Sequence, residues 1–355
     1  MSWFVHFGII LFMSASNSRI KSFCTYHHLM SRIAHKVYFM TDEVRTDFIE
    51  MLRRASDFCG IQLVSWCVLS NHFHVLAYLP EPQPLDEAEV VRRYGVLKGA
   101  ARKERLERKL ASLRLATDGG EESVAHLLAR VQKPMYKIGE FMKIVKQWLT
   151  QEYNQRYAHT GTLWESVYKD VLVPDAPSEL GKRAAYIHLN PIRAAVATEF
   201  DEYAWSSLAA LRKGDDLALR GMRQIYGEDA SETEILDAHK ELMADLLEQI
   251  KFDRAVDVVR RRAAGFEVAT DSLTNEALVA QAAAHLQRVM TAAVEEHAIR
   301  RMRGCPRKND GELAERIRQL LAENPKLTGA AVAEAVGRPV STVYLYLRRI
   351  RKELQ

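Results

Sequence analysis

Two histidines flank a phenylalanine in the stretch NHFHVLAYLP, residues 71–80. The stretch reads as a buried β-strand, and successive side chains of a strand point to opposite faces. His72 and His74 are therefore predicted to project from one face and Phe73 from the other. Two adjacent imidazoles can bind a metal ion, but a lone His-x-His pair on a strand is more often a bystander or a packing feature. A metal site needs a third ligand from elsewhere in the chain.

A helix that ends near Asn190 offers such a ligand. The stretch SELGKRAAYIHLNP, residues 178–191, must end or kink as a helix at this point because the residue before Pro191 is disfavoured in the α conformation. Tyr186 and Asn190 are four residues apart and so share a helix face. If that face lies over the histidines, a phenol and a carboxamide oxygen both point at the metal. The alternative for Tyr186 is a core aromatic on an amphipathic helix.

The elements that would position these residues follow from local patterns. Residues 23–33 and 61–69 are rich in aromatic and β-branched residues, which indicates strands, and residues 42–60 have helical apolar spacing with Gly60 as the expected C-cap. With the histidine strand, this order is strand, helix, strand, strand. It favours a small antiparallel α+β sheet over a doubly wound one.

Other polar residues near these strands are assigned ordinary roles. His27 and His28 alternate across the first strand, so at most one of them can face the site, and each is interpreted as packed or solvent-facing. Cys67 is expected to fill core space. Trp164 is left with two interpretations, a core residue or a platform on which a base stacks.

Four motifs, in the order NHFHVLAYLP, HTGTLWESVYKDVLV, AAYIHLNPIRAAV and YAWSSL, resemble the single-strand DNA transposases of the HUH tyrosine class, especially the REP-associated tyrosine transposases. The resemblance covers roughly residues 22–210. It implies a ferredoxin-like antiparallel sheet with helices on one face. It also implies that His72 and His74 are the metal-binding pair, that Tyr186 is the nucleophile and that Asn190 is the third metal ligand.

The implied reaction is metal-dependent cleavage and strand transfer on single-stranded or hairpin DNA, with a 5′-phosphotyrosine intermediate and a free 3′-OH. Two imidazoles and an amide oxygen, without a thiolate, suit Mg²⁺ or Mn²⁺. The chain departs from the family at Val167, where a basic residue is common. Lys169 either takes over that DNA contact or is a solvated strand lysine. The competing hypothesis is a non-cleaving, sequence-specific DNA-binding regulator derived from a transposase.

The sequence divides by composition into segments. Residues 1–21 are interpreted as a leader, 22–210 as the catalytic domain with a helical insertion at 81–135, 211–300 as a helical connector and 301–355 as a basic helix-turn-helix. The fold class is therefore α+β followed by an all-α C-terminal region.

The C-terminal segment carries much of the positive charge. Residues 301–355 contain twelve Lys and Arg against six Asp and Glu, a net charge of +6, whereas the whole chain has only +4. The segment is predicted to bind duplex DNA. The expected contact residues are Arg338, Ser341, Thr342, Tyr344, Arg348 and Arg349. The alternative is a helical tail that contacts protein.

Composition limits the remaining classes. The four cysteines form no CxxC pair in 355 residues, which argues against a disulfide framework and a Cys-rich zinc site. The apolar run near the N-terminus is shorter than the ~20 residues of a membrane span. We therefore expect a cytoplasmic, nucleoid-associated bacterial protein without a membrane partner, either a monomer or a homodimer.

Overall fold

The computed structural model describes residues 22–34, 39–115, 119–200, 202–271, 273–302, 310–323, 328–336 and 343. The predicted leader lies outside these residues. The chain forms two compact units, residues 1–254 with 270–274 and residues 255–269 with 275–355. The predicted domain limits differ from this division and stay a prediction. Within the described residues, each helix is too short or too polar to cross a bilayer.

The first unit is built around a four-stranded antiparallel sheet. Its strands are β1 (Thr25–Arg32), β2 (Gln62–Val68), β3 (His72–Leu79) and β4 (Lys169–Val173), in the order β2-β3-β1-β4. The helices of the described residues in both units, in chain order, are α1 (Asp42–Cys59), α2 (Glu87–Lys98), α3 (Ala100–Arg114), α4 (Gly120–Gln132), α5 (Ile138–Tyr157), α6 (Pro177–His188), α7 (Asn190–Arg193), α8 (Ser207–Leu211), α9 (Asp216–Tyr226), α10 (Glu232–Ala263), α11 (Glu276–Met302), α12 (Asp310–Glu323) and α13 (Gly329–Ala335). The sheet order and the β1-α1-β2-β3-α5-β4 succession are those of a ferredoxin-like fold.

Local signals fix the limits of α1. The Thr41 side chain accepts a hydrogen bond from the backbone N–H of Val44, and Asp42 and Glu43 lie in the first turn, where acidic residues favour a helix. Gly60 closes the helix with φ of 66°, a left-handed conformation that favours glycine. The C-cap prediction is confirmed.

Helices α1 and α5 cover the sheet face that carries Phe73. Phe48 of α1 packs on Phe73 with 4.9 Å between ring centroids, and Trp148 of α5 lies 6.2 Å from Phe48. Trp164 is 9% exposed and packs edge-to-face on Phe73, so it belongs to this core. Burying one such aromatic side chain contributes about 1.5–3 kcal/mol.

The opposite face of the sheet is covered too. Helices α6 and α9 both pack against β2, and a Cβ on Gly221 of α9 would lie 2.5 Å from the backbone oxygen of Val64. Only glycine permits this approach. The prediction of an α+β sheet is confirmed, with α1 and α5 together on one face. Additional helices lie on the second face, and as a result β2 is buried on both sides.

Residues 81–135 contain α2, α3 and α4. These helices have a small apolar core of their own, formed by Val91, Leu106, Leu110, Val124 and Leu127. Helix α2 packs on α1, which attaches the group to the sheet domain on the side of Phe73.

The described part of the second unit is helical. Residues of α12 and α13 form a small core with Val343, made of Ile317, Leu321, Val332 and Ala333. The Thr328 side chain caps the start of α13. The predicted all-α C-terminal region is confirmed. Its helix-turn-helix stays a prediction because most of the residues predicted to form the third helix lie outside the described ones.

Candidate functional site

The sheet register brings histidines together on the face opposite Phe73. His74 of β3 lies opposite Met30 of β1, and His28 lies opposite Leu76, so His28 points to the same face. The ring centroids of His72 and His74 are 5.3 Å apart, and those of His28 and His74 are 5.2 Å apart. Phe73 is fully buried in the other core.

Tyr186 of α6 lies over this histidine cluster. Its ring centroid is 6.2 Å from that of His74 and 6.0 Å from that of His28. Helix α6 has a proline in its first turn, which suits a helix start because that N–H has no intrahelical partner. The side chain of Tyr186 is half-buried. The structure therefore brings Tyr186, His72 and His74 together.

Asn190 is tied to the helix that carries Tyr186. It follows the last residues of α6 and begins α7, and its amide nitrogen donates to the backbone oxygens of Tyr186 (2.9 Å) and Ile187 (3.4 Å). These bonds use both amide hydrogens and fix the orientation of the side chain. Its carbonyl oxygen is the atom left to act as an acceptor or ligand.

Asn71 sets the tautomer of His72. Its Oδ1 is 2.7 Å from Nδ1 of His72 and can only accept, so the ring proton lies on Nδ1. The lone pair of His72 is then on Nε2. A hydrogen bond of this kind on the second nitrogen is what orients a metal-binding histidine.

His74 is part of a second hydrogen-bond chain. Its Nδ1 is 3.0 Å from Nε2 of His28, whose Nδ1 is 3.2 Å from a guanidinium nitrogen of Arg183. Arginine can only donate, so Nδ1 of His28 accepts and its Nε2–H donates to His74. In this arrangement the proton of neutral His74 lies on Nε2.

All three imidazoles are neutral near pH 7. Burial, with help from Arg183, lowers the pKa of His28 to about 3. Burial, then the cations of Arg32 and Arg193, lowers the pKa of His72 to about 4. Burial and the neighbouring histidines hold the pKa of His74 well below 6.5. Each ring therefore offers one lone pair.

Two arginines flank the phenol. The guanidinium carbon of Arg193 is 4.5 Å from the ring centroid of Tyr186, and that of Arg183 is 5.9 Å away. Guanidinium groups bind phosphate oxygens in a bidentate geometry. The sequence reading missed both arginines, although their spacing of three and seven residues from Tyr186 is a helical one.

Of the other predicted contact residues, the structure describes Lys169, which lies apart from this cluster. Lys169 of β4 and His74 of β3 both pair with Met30, so exposed Lys169 lies on the same sheet face, two strand spacings or roughly 10 Å from His74. Val167 is 75% exposed. The residues predicted to contact duplex DNA, Arg338, Ser341, Thr342, Tyr344, Arg348 and Arg349, lie outside the described residues.

The donor set fits a divalent cation in part. In the described segments, no group of three or more His, Cys, Asp or Glu side chains is arranged to hold a metal. A site at the histidines would take its third ligand, as the resemblance implies, from the amide oxygen of Asn190. His72 already offers Nε2, whereas His74 can offer its Nε2 only after its proton moves to Nδ1.

No protein-family model matches the chain, and no curated protein matches it in sequence. A solved structure described as "Structure of the REP associates tyrosine transposase bound to a REP hairpin" is similar, with 9% identity and a TM-score of 0.33 over 54% of this chain and 82% of that chain. A likeness at this level does not establish a shared family or function.

Proposed function

We propose that the chain is a metal-dependent DNA endonuclease and strand transferase that acts on single-stranded or hairpin DNA through Tyr186. The observation that carries the proposal is the convergence of Tyr186, His72 and His74 between the sheet and α6. These residues are far apart in sequence, and they occupy the nucleophile and metal positions of the HUH motifs that the sequence resembles.

In this proposal the Tyr186 hydroxyl attacks the phosphorus of a phosphodiester. A Tyr–O–P bond forms, the bond from phosphorus to the 3′ oxygen breaks, and the phenol proton is lost while the 3′-OH gains one. The products are a 5′-phosphotyrosine and a free 3′-OH. Attack by a 3′-OH on the phosphotyrosine reverses the step and joins strands without ATP.

His72, His74 and Asn190 would hold a divalent cation, Mg²⁺ or Mn²⁺, which supplies Lewis-acid polarisation of the scissile phosphate. Arg193 and Arg183 bind the phosphate oxygens next to the phenol, which holds phosphorus within reach of the Tyr186 oxygen. Water is partly excluded because His28 and His74 are buried.

Further DNA contacts are proposed outside the cluster. Lys169, on the same sheet face, contacts a phosphate of the substrate strand. The segment 301–355, with its net charge of +6, binds duplex DNA next to the cleavage site.

The experiment is incubation of the full-length protein with end-labelled single-stranded and hairpin oligonucleotides, with Mn²⁺ or with EDTA, followed by denaturing gels. We expect a labelled band at the mass of protein plus DNA, with Mn²⁺ only. Retention of DNA in native gels without a covalent band under any condition would contradict the proposal and support the non-cleaving regulator.

A further inference from the structure

A basic groove lies between the helical insertion and α5, away from the histidine cluster. It encloses about 550 Å³, and six of its lining residues are cations against one carboxylate, Glu140. We call it the insertion groove. Its cations are Lys98, Arg102, Arg105, Lys109, Arg130 and Lys143.

Most cations of the insertion groove have no carboxylate partner within the described residues. Lys143 pairs with Glu140 at 3.4 Å, while the other five make no ion pair there. On other faces of the same helices, Lys103 pairs with Glu107 and Arg114 pairs with Glu87, while Arg108 of α3 makes no ion pair within the described residues. The groove therefore brings together five cations that lack a carboxylate partner.

The arrangement of these cations costs stability unless an anion is bound. Arg102, Arg105 and Lys109 are three and four residues apart on α3, where like charges repel one another. Burial and the nearby guanidinium groups of Arg102 and Arg54 lower the pKa of Lys98. A polyanion would relieve both effects.

The floor of the groove points to a ligand with planar apolar parts. Phe58, Leu106, Leu127 and Ile144 line it together with half-buried Tyr94. A positively charged groove with an aromatic side chain is the usual arrangement for single-stranded nucleic acid, whose phosphates follow the cations while bases stack. A duplex keeps its bases paired and cannot use such a floor.

The insertion groove and the histidine cluster lie on opposite sides of the sheet. Phe58 and Ile144 belong to α1 and α5, the helices that cover the Phe73 face, whereas Tyr186 lies over the other face. DNA bound in the groove is therefore not the segment held at the phenol.

We propose that the insertion groove is a second binding site, which takes the backbone of single-stranded DNA beyond the cleaved segment. The proposal rests on the proposed function only for the choice of DNA as the nucleic acid. Two or more nucleotides contact Arg102, Arg105 and Lys109 through phosphates, and one base stacks on Tyr94.

The test is the affinity of full-length protein for a fluorescent oligothymidylate across salt concentrations. Arg105→Gln/Lys109→Gln removes one arginine and one lysine from the groove. We expect binding about tenfold weaker and a salt slope smaller by about 1.4, because two phosphate contacts of about 0.7 each are lost. Lys103→Gln/Arg108→Gln removes the same residue types from other faces of α3 and should leave both quantities unchanged.

Tyr94→Leu separates stacking from charge. It should weaken binding at least about fivefold while the salt slope stays the same. An equal loss in the groove and control double variants, or no loss in either, would overturn the proposal. The proposal would also be overturned if polyglutamate or blunt duplex DNA bound as tightly as the oligothymidylate and lost the same affinity in Arg105→Gln/Lys109→Gln. The groove would then take another ligand.

The covalent assay with a short oligonucleotide keeps this result separate from the proposed reaction. The groove double variant should still form the protein–DNA band when the oligonucleotide is saturating, because its substitutions lie on the other side of the sheet. If wild type formed no covalent band, the proposed reaction would be contradicted, while the affinity measurements would still test the groove.

Discussion

Arg183 determines which nitrogen of His74 carries the proton. Because it donates to His28, the chain of hydrogen bonds runs from Arg183 through His28 to Nδ1 of His74. The proton of His74 is then on Nε2. This nitrogen must lose its proton before it can bind a metal ion. Release of Arg183 lets the chain reverse, so that His74 donates from Nδ1 to His28 and its Nε2 is free.

We therefore predict that Arg183→Met tightens Mn²⁺ binding about tenfold, since one nearby positive charge and the opposing hydrogen bond are both removed. Isothermal titration calorimetry with Mn²⁺ alone measures this. Lys182→Met is the control: it removes the adjacent lysine, which pairs with Glu179 at 3.0 Å, and should change the affinity little. Weaker binding in Arg183→Met would mean that the arginine supports the metal form.

The sequence correctly predicts that His72 and His74 share a face of their strand, but it does not predict the residues that surround them. Alternation alone places His72 and His74 on one face, since the period of a strand is two. The roles of Asn71, His28, Arg183 and Arg193 depend on the register between strands and on the rotation of α6, which no local pattern specifies. Helical spacing offers Tyr186 and Asn190 as candidates, the resemblance implies their roles as nucleophile and metal ligand, and those roles stay a prediction.

Among the elements, α6 is held in place by a buried polar chain. His188, two residues after Tyr186, is 2.7 Å from both Nε2 of His239 in α10 and Oγ of Ser207 in α8. Ser207 accepts from the backbone N–H of Trp66 in β2 (2.9 Å), and the Tyr226 hydroxyl is 2.8 Å from His239. When both rings are neutral, each can donate once and accept once in this chain of hydrogen bonds.

This buried hydrogen-bond network predicts that the folded state loses stability in acid. Burial lowers the pKa of His239 to about 4 and that of His188 well below 6.5, with His239 adding to the latter shift. Because the folded-state pKa is depressed, the stabilisation is fully present above pH 6.5 and is lost as the pH falls toward 4. For His239 alone this amounts to about 3 kcal/mol.

Urea unfolding of wild type and His239→Gln between pH 7 and pH 4 measures the effect. The stability advantage of wild type over the variant should shrink by about 1.4 kcal/mol per pH unit below pH 6.5. His126→Gln, at an exposed position of α4, is the control and should follow the wild-type curve. An advantage that does not change with pH would show that His239 is not buried in its neutral form.

The elements themselves are largely readable from the sequence. The strands, α1 and α5 follow from short-range periodicity and caps, and Gly60 ends α1 where predicted. Of the second helical layer, the sequence predicts helix α6 but not the packing of α9 on the sheet, because the apolar run of β2 signals burial on both faces without naming the helices that cover it. The sequence predicts a helical insertion at 81–135, but it does not predict which cations of α3 lack partners, since pairing depends on which acids pack nearby.

On the scale of the whole molecule, the insertion groove and residues 301–355 each carry an excess of positive charge. We predict that deletion of residues 301–355 weakens binding to DNA with a duplex arm and flattens its salt dependence, because fewer counterions are released. Covalent attachment to a short single strand should persist. Fluorescence anisotropy across salt concentrations tests this, and an unchanged salt slope would assign the tail to protein contacts.

In the proposed reaction the oxygen of Tyr186 becomes bonded to DNA, and Tyr186→Phe tests this step directly because only a hydroxyl is removed. With Mn²⁺ and labelled single-stranded DNA, wild type should give a covalent protein–DNA band on denaturing gels and Tyr186→Phe should give none, with DNA affinity unchanged within about twofold. Tyr153→Phe, which removes a hydroxyl from a partly buried tyrosine of α5, should keep the band. An undiminished band in Tyr186→Phe would show that Tyr186 is not the nucleophile.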